Sequence, residues 1–417
     1  STAFVGDITG DVTGTADVAT VATTVTITDN ESTDEANAVI FTAGADIDGG
    51  NIGLESDGNL TYNPSSGTLA ATTFSGSGAS LGGVSTSRRN LLINGAFDIW
   101  QRGTSFTHTN GKIFTADRWI VQPQSTAHTF AQVAATSPIA GMGSRYALRI
   151  QRNADVTATG FTYFAQDNES SMAYHCQGKK LTLSYFARKG ANYSATNDLF
   201  SLGVVGGKGI DQALVNGYTS GAFLVNTNAT LTTSWQRFSF TTGVVAADIT
   251  QIGLQGGRVN VGTAGANDYV DITGIQLEVG DEATDFEYTE VSATKLMCER
   301  YYQKLTGSYA QYGQIAMIAY NSSSQAQAAI VYRTEMRAAP SLSYTATSSN
   351  NSSSAYAIAN GSSNSGAVDY IDTLLLYNAN PISTLLYTGN SAGGTAREAG
   401  NLYVQSNITE LALVAEL

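Results

Sequence analysis

Leu181-Thr182-Leu183-Ser184-Tyr185-Phe186 places Leu181, Leu183 and Tyr185 on alternate positions, the period-two pattern of a strand with one buried face and one wet face. Runs of similar type recur at Arg118–Val121, Tyr146–Ile150, Phe161–Phe164, Trp235–Phe240 and Tyr269–Leu277. About eight such strands between residues 88 and 290 suit a two-sheet jelly roll. Composition agrees. Only 13% of the 417 residues are charged, against an average near ~25%, and Glu/Lys/Leu/Ala runs of helical period are almost absent. With 42% hydrophobic residues the chain has the apolar mass for packed cores, and the class expected is all-β.

Three segments are distinguishable. Residues 1–87 carry the repeat Gly6-Asp-Ile-Thr-Gly10-Asp-Val-Thr-Gly14, an alternating Thr24–Thr28, and short apolar beats at Asn59–Pro64 and Thr72–Phe74. Turn signals stand between them at Asp57-Gly58, Ser66-Gly67 and Gly76. So little apolar mass per residue does not close a core within one chain. Several copies sharing one core about an axis would solve this as an elongated, intertwined shaft; a flexible acidic linker is the alternative. Residues 88–290 form the jelly roll. Residues 291–417 open with one expected helix, Ser292 as its cap and Leu296, Met297, Arg300 and Tyr301 at helical spacing. Strand-like runs follow at 314–320, 328–332, 341–344, 370–377, 385–387, 401–404 and 408–414, predicting a C-terminal β-sandwich tip with the chain end tied into a sheet. The Ser/Asn-rich stretch 347–366 reads as a long polar loop.

The net charge of −13 is unevenly spread. Eleven acidic residues from Asp7 to Asp57, with no Lys, Arg or His, fill residues 1–87 and leave the rest near neutral. No Lys/Arg cluster offers a phosphate footprint, which excludes nucleic-acid binding as the main role. Nothing approaches a membrane-spanning apolar stretch, so no membrane insertion is expected. Cys176 and Cys298 make neither a CxxC nor a metal spacing and read as two separate buried thiols, in keeping with assembly in a reducing cytoplasm. The opening Ser1 suggests a processed chain or the distal piece of a longer one.

Motifs for catalysis fail one by one. Gly78-Ala-Ser80-Leu-Gly82 has the letters of a hydrolase elbow without a strand before it, a helix after it or a nearby base. His108, His128 and His175 share no ligand spacing. Gly207-Lys208 lacks the other residues of a phosphate loop, and Asp46-Ile-Asp48-Gly-Gly-Asn51 departs from a calcium loop at its sixth and twelfth positions. The carboxylates Glu278, Asp281, Glu282, Asp285, Glu287 and Glu290 crowd one connector and read as a wet face. Neither an enzyme activity nor a cofactor is expected.

What remains is a binding surface, because sugar rings stack their C–H faces on aromatic planes while amides and hydroxyls take their OH groups. Trp119 and Trp235 lie inside apolar runs and read as core. Trp100, Arg102, Tyr174, Tyr312 and Tyr320 are the candidate ligand-binding residues.

Asn90-Leu-Leu-Ile-Asn-Gly-Ala-Phe-Asp-Ile-Trp-Gln-Arg-Gly103, Thr115–Trp119, Gly274–Gly280 and Ala283–Glu287 resemble the jelly-roll module of phage tail fibres. Cys298–Lys304, Thr334–Pro340 and Leu413–Leu417 are similar to the tip segment that follows that module. Phe4–Gly10, Leu60–Gly67 and Thr72–Gly76 resemble repeats in structural proteins of marine, especially cyanobacterial, phages. The resemblance implies a homotrimeric fibre in the virion tail, joined to other tail proteins and assembled in the host cytoplasm. Its distal domains would bind a host cell-surface glycan by trimeric multivalency. Alternatives are a tailspike-type polysaccharide depolymerase and a purely structural virion component. The related carbohydrate-binding modules sometimes hold a structural calcium, for which the matching carboxylates would be Asp98 and Asp271.

Overall fold

The computed structural model describes residues 33–42, 54–71, 88–136, 138–305, 313–322, 325–346, 356–360, 368–391, 399–404 and 408–417. The chain divides into two units, Ser1–Ser85 and Thr86–Leu417.

In the first unit, β1 (Asn37–Thr42), β2 (Leu54–Asn63) and β3 (Thr68–Ala71) form an antiparallel sheet in that order. The turn signal at Ser66-Gly67 is real: the Asn63 side chain accepts from the Ser65 and Ser66 amides and bends the chain between β2 and β3. Asp57-Gly58, expected as a turn, lies instead inside β2, where the register with β1 slips between Ala38 and Ile40. Ile40, Tyr62 and Leu69 stay exposed. The Gly6–Gly14 repeat, the Thr24–Thr28 alternation, the Asp46–Asn51 loop, Thr72–Phe74 and the Gly78–Gly82 motif lie outside the described residues.

The second unit opens with the sandwich. Its strands are β4 (Ser105–His108), β5 (Ile113–Phe114), β6 (Ile120–Pro123), β7 (His128–Ala134), β8 (Tyr146–Arg152) and β9 (Phe161–Asp167). They continue with β10 (Leu181–Lys189), β11 (Leu199–Gly207), β12 (Ala222–Thr230), β13 (Gln236–Thr241), β14 (Gln251–Val259) and β15 (Tyr269–Val279). Two six-stranded antiparallel sheets result, β13-β10-β15-β8-β7-β4 and β12-β11-β14-β9-β6-β5, more strands than the roughly eight expected. All-β class and sandwich architecture are as the sequence implied. Leu183, Tyr185 and Ile272 from the first sheet meet Phe164, Leu202 and Leu254 from the second in one buried cluster. Trp119 lies at its centre, fully buried, its ring stacked on Phe164 at 4.7 Å and its Nε1 donating to the Asn94 carbonyl.

The stretches that carried the family resemblance act as locks. Asn90 donates to the Ile275 carbonyl and accepts from the Leu277 amide, so the entering chain is fixed against β15. Gln276 accepts from the Glu287 amide and Glu287 accepts from the Arg89 and Asn90 amides, so the exit is fixed to the entrance. Glu278 takes the Thr284 amide and hydroxyl. The carboxylate string is therefore only partly a wet face: Glu278 is 3% exposed, whereas Asp281 and Asp285 point to solvent. The backbone donors at this junction need acceptors, and Glu278, Glu287 and Glu290 supply them.

Helix α1 (Ser170–Cys176) was not foreseen, and one turn or two of helix leaves too little periodicity to read. Helix α2 (Val291–Glu299) is the expected one, with differences. Its cap is Glu290, whose side chain accepts from the Ser292 and Ala293 amides, and it buries Thr294, Cys298 and Glu299 while Leu296 is exposed. Strands β16 (Tyr302–Lys304), β17 (Gly313–Ser322), β18 (Gln325–Val331), β19 (Ser341–Ala346) and β20 (Tyr356–Asn360) follow. The chain ends with β21 (Val368–Tyr377), β22 (Ser383–Ser391), β23 (Ala399–Val404) and β24 (Ile408–Val414). The order β17-β18-β22-β21-β20-β23 closes on itself as a barrel, and β16-β24-β19 is a separate three-stranded sheet. The third segment is thus a closed sheet with a small companion rather than two open layers. Strand β20 falls within the Ser/Asn stretch expected to be loop, because pairing with β21 and β23 overrides its polar flanks. The chain end is tied into a sheet, as expected: β24 pairs with β16 and β19.

Beyond β24, Glu416 inserts between two arginines of the sandwich. Arg102 donates to it at 3.0 Å and Arg118 binds its other oxygen. The two guanidiniums lie over the rings of Tyr302 and Tyr301 at 3.6 and 3.5 Å. Sandwich and C-terminal sheet are joined there by charge that water barely reaches.

Candidate functional site

On β9, Phe164 points into the core, so Tyr163 and Ala165 face outward. The same alternation sets Val121 of β6, Leu254 of β14 and Val204 of β11 inward, and Gln122, Gln255 and Val205 outward. These outward residues line an open cavity of about 430 Å³ on the second sheet. Its wall is the segment 214–221 with the start of β12, which contribute Asn216, Tyr218 and Phe223. Tyr163 and Phe223 offer ring surface, and Phe223 is 47% exposed. Gln122, Gln124, Gln255 and Asn216 supply four amides, none of them engaged by another described residue.

Glycines of the sheet seat the neighbouring rings. A Cβ at Gly203 would stand 2.9 Å from the Phe223 ring and 2.4 Å from the Val225 carbonyl oxygen. At Gly257, with φ of +143°, it would meet Phe161 at 2.9 Å and the Thr162 carbonyl at 1.9 Å. Outward glycines in β11 and β14 therefore let aromatic rings settle against the sheet where longer side chains would hold them off. Such a surface can take a ligand that has both apolar ring faces and many hydroxyls.

The five binding candidates read from the sequence are not brought together. Trp100 is half-buried, donates from Nε1 to the Phe97 carbonyl at 2.7 Å and stacks on Phe106. Arg102 is held by Glu416 and Tyr302. Tyr174 is 55% exposed on α1, not on a loop. Tyr320 is 2% exposed and packs inside the barrel, so a ligand does not reach its ring. Tyr312 lies outside the described residues.

Asp98 and Asp271 do not fit a calcium ion, which needs six to eight oxygens including several carboxylates. Both oxygens of Asp271 are taken: Arg149 donates to them at 2.7 and 3.0 Å, and Arg188 at 3.0 Å. Asp98 faces Arg145 instead, and burial raises its pKa above the ordinary carboxylate value. Among the described residues no group of three or more His, Cys, Asp or Glu converges. The cysteines are free and buried; burial pushes Cys176 to about 11 and Cys298 well above the ordinary thiol value, so neither offers a thiolate.

No protein-family model matches the chain, and no curated protein matches it. Solved structures with partial likeness include a family 4 carbohydrate-binding module, at 16% identity over 45% of this chain and 98% of that one, with a TM-score of 0.26. The enzymatically active domain of tailspike protein 4 from bacteriophage CBA120 is 10% identical over 42% of this chain and 21% of that one, with a TM-score of 0.28. A Stig cyclase from Fischerella sp. TAU is 9% identical over 47% of this chain and 98% of that one, with a TM-score of 0.30. A binding module, a tailspike domain and a cyclase at such scores leave the function of this chain to its own residues.

Proposed function

We propose that the protein is a tail-fibre adhesin that binds a glycan on the bacterial surface without cleaving it. The observation that carries this reading is the cavity on the second sheet, where exposed rings stand beside four amides that no other described residue engages. Its lining holds no carboxylate, and a glycosidase needs two across the scissile bond. The resemblance of Asn90–Gly103 and Gln276–Glu287 to a tail-fibre module supports the viral setting. Exposure of Ile40, Tyr62 and Leu69 in the first unit supports the reading of residues 1–87 as a shaft completed by sister copies.

A shallow site of this kind binds weakly, on the order of 1 mM or 4 kcal/mol. Three sites on a trimeric fibre, and several fibres on a particle, raise avidity by about 10² or more without a new contact. The test is adhesion of the full chain to bacteria before and after periodate oxidation of their surface sugars, with the double variant Tyr163→Ala/Gln255→Ala as control. Loss of adhesion on periodate treatment and in the variant is expected, with a mass of three copies by light scattering. Adhesion indifferent to both treatments overturns the glycan reading, and shortening of the polysaccharide on incubation overturns the non-cleaving one.

A further inference from the structure

A second cavity, of about 290 Å³, lies on the same sheet face. It is lined by Phe161 of β9, Ser201 of β11, Asn228 of β12 and Gly257 of β14. Each has the outward parity of the first cavity's lining: Phe161 and Gly257 lie two residues along their strands from Tyr163 and Gln255, Ser201 four from Val205 and Asn228 five from Phe223, a shift of ~7 to ~16 Å at the strand rise. The Phe161 and Tyr163 rings, 4.3 Å apart between centroids, bridge the two.

Both linings are almost without charge. The first holds no Lys, Arg, Asp or Glu. The second holds only Arg258, whose side chain is 1% exposed and turned inward onto Asp268 at 2.6 Å. A uronate, sialate or phosphate entering such a groove would lose water and gain no cation.

We infer that this face binds an uncharged glycan of several residues, laid along the strands from the Tyr163 cavity to the Phe161 cavity. The inference rests on the glycan reading above and specifies its ligand class. Amides at the first cavity and the Ser201 and Asn228 side chains at the second supply hydroxyl partners at both ends of the run. The bridging rings supply stacking between them.

The test is an array of bacterial surface oligosaccharides of one to eight residues, half neutral and half carrying uronate, sialate or phosphate, read with the full chain at low and high salt. Neutral chains should bind, affinity should rise with length until both cavities are filled, and salt should change it less than twofold. Phe161→Ala and Asn228→Ala should cut affinity for long chains about tenfold and leave the shortest binders unaffected. Salt-sensitive binding of acidic glycans only, still abolished by Tyr163→Ala, overturns the neutral-ligand inference and leaves the glycan site standing. Neutral binding that ignores length and both distal variants overturns the extended run. Binding of no glycan overturns the site and the inference together.

Discussion

The two sheets of the sandwich share a core and treat their outer faces in opposite ways. Outside the first sheet, Asp271 is fully buried between Arg149 and Arg188, whose guanidiniums lie over Tyr269 and Trp235 at 3.7 and 4.8 Å. Trp235 packs with Phe186, Met142 and Ala147 in a small cluster of its own and donates to the Thr136 carbonyl. The Asp271 carboxylate and the Trp235 indole on that face both have their partners. Outside the second sheet, the Gln122, Gln124, Gln255 and Asn216 amides are engaged by no other described residue, and the Tyr163 and Phe223 rings line a cavity. Aromatic content alone therefore says little about binding. A ring counts toward a site when its neighbours leave their hydrogen-bonding capacity unused.

The largest effect that would break this contrast is on the closed face. Asp271→Ala leaves two half-buried guanidiniums without their carboxylate and should cost about 4 kcal/mol in urea unfolding, while the folded variant binds glycan as before. Unchanged stability would show that charge does not close that face.

A somewhat smaller effect concerns the seam between the sheets. His128 of β7 is buried and neutral: its Nδ1 faces the Thr126 carbonyl at 2.8 Å and its Nε2 the Thr162 hydroxyl of β9 at 3.1 Å. Burial lowers its pKa to about 4. The unfolded chain thus binds the proton more readily, and the contribution is full above about pH 6.5 and lost as pH falls toward 4, on the order of 3 kcal/mol. Asp117, raised to about 6 by burial, works in the opposite sense, gaining over roughly the same window as pH falls. Urea midpoints at pH 6.5 and 4 should show a flatter acid loss in His128→Asn than in the parent. An unchanged slope would assign the acid loss to other groups.

The smallest effect on folding sharpens the contrast from the open side. Phe223→Ala removes a ring that is half in water, so stability should stay within about 0.5 kcal/mol. Glycan affinity should fall about tenfold, or 1.4 kcal/mol, by calorimetry. A variant that unfolds more easily yet binds normally would reverse the roles of the two faces.

Legibility follows the same division. The strands quoted from the sequence, among them Leu181–Phe186, Tyr146–Ile150 and Tyr269–Leu277, belong mostly to the first sheet, whose outward positions carry Thr, Ser, Arg and Gln against inward Leu, Ile and Val. Strands β11, β12 and β14 escaped that reading, and they carry most of the groove. Their outward positions include Gly203, Gly207, Gly253 and Gly257, with Asn226 and Asn228 on β12, so glycine and asparagine mimic turn signals inside strands. A usable signal was present. In Leu199–Gly207 and Gln251–Val259 the glycines repeat one spacing, 203, 206 and 207 against 253, 256 and 257, between Val, Leu and Ile residues that suit a strand. Tyr163 was visible as part of a strand, but only Phe164 in the core fixes which way it faces. Arg102 and Tyr320 look like binding residues in sequence because nothing local announces Glu416 or the barrel interior.

By itself the sequence determined that this protein is built of β-strands, that most of its net negative charge lies in the lean first segment, and that its two thiols stay apart, because these follow from composition and from patterns spanning a few residues. Tertiary structure alone decided which aromatic rings are spent on packing and which remain open. That choice depends on partners far along the chain, such as Glu416 for Arg102, Asp271 for Arg149, and the glycines of β11 and β14 for Phe223 and Phe161.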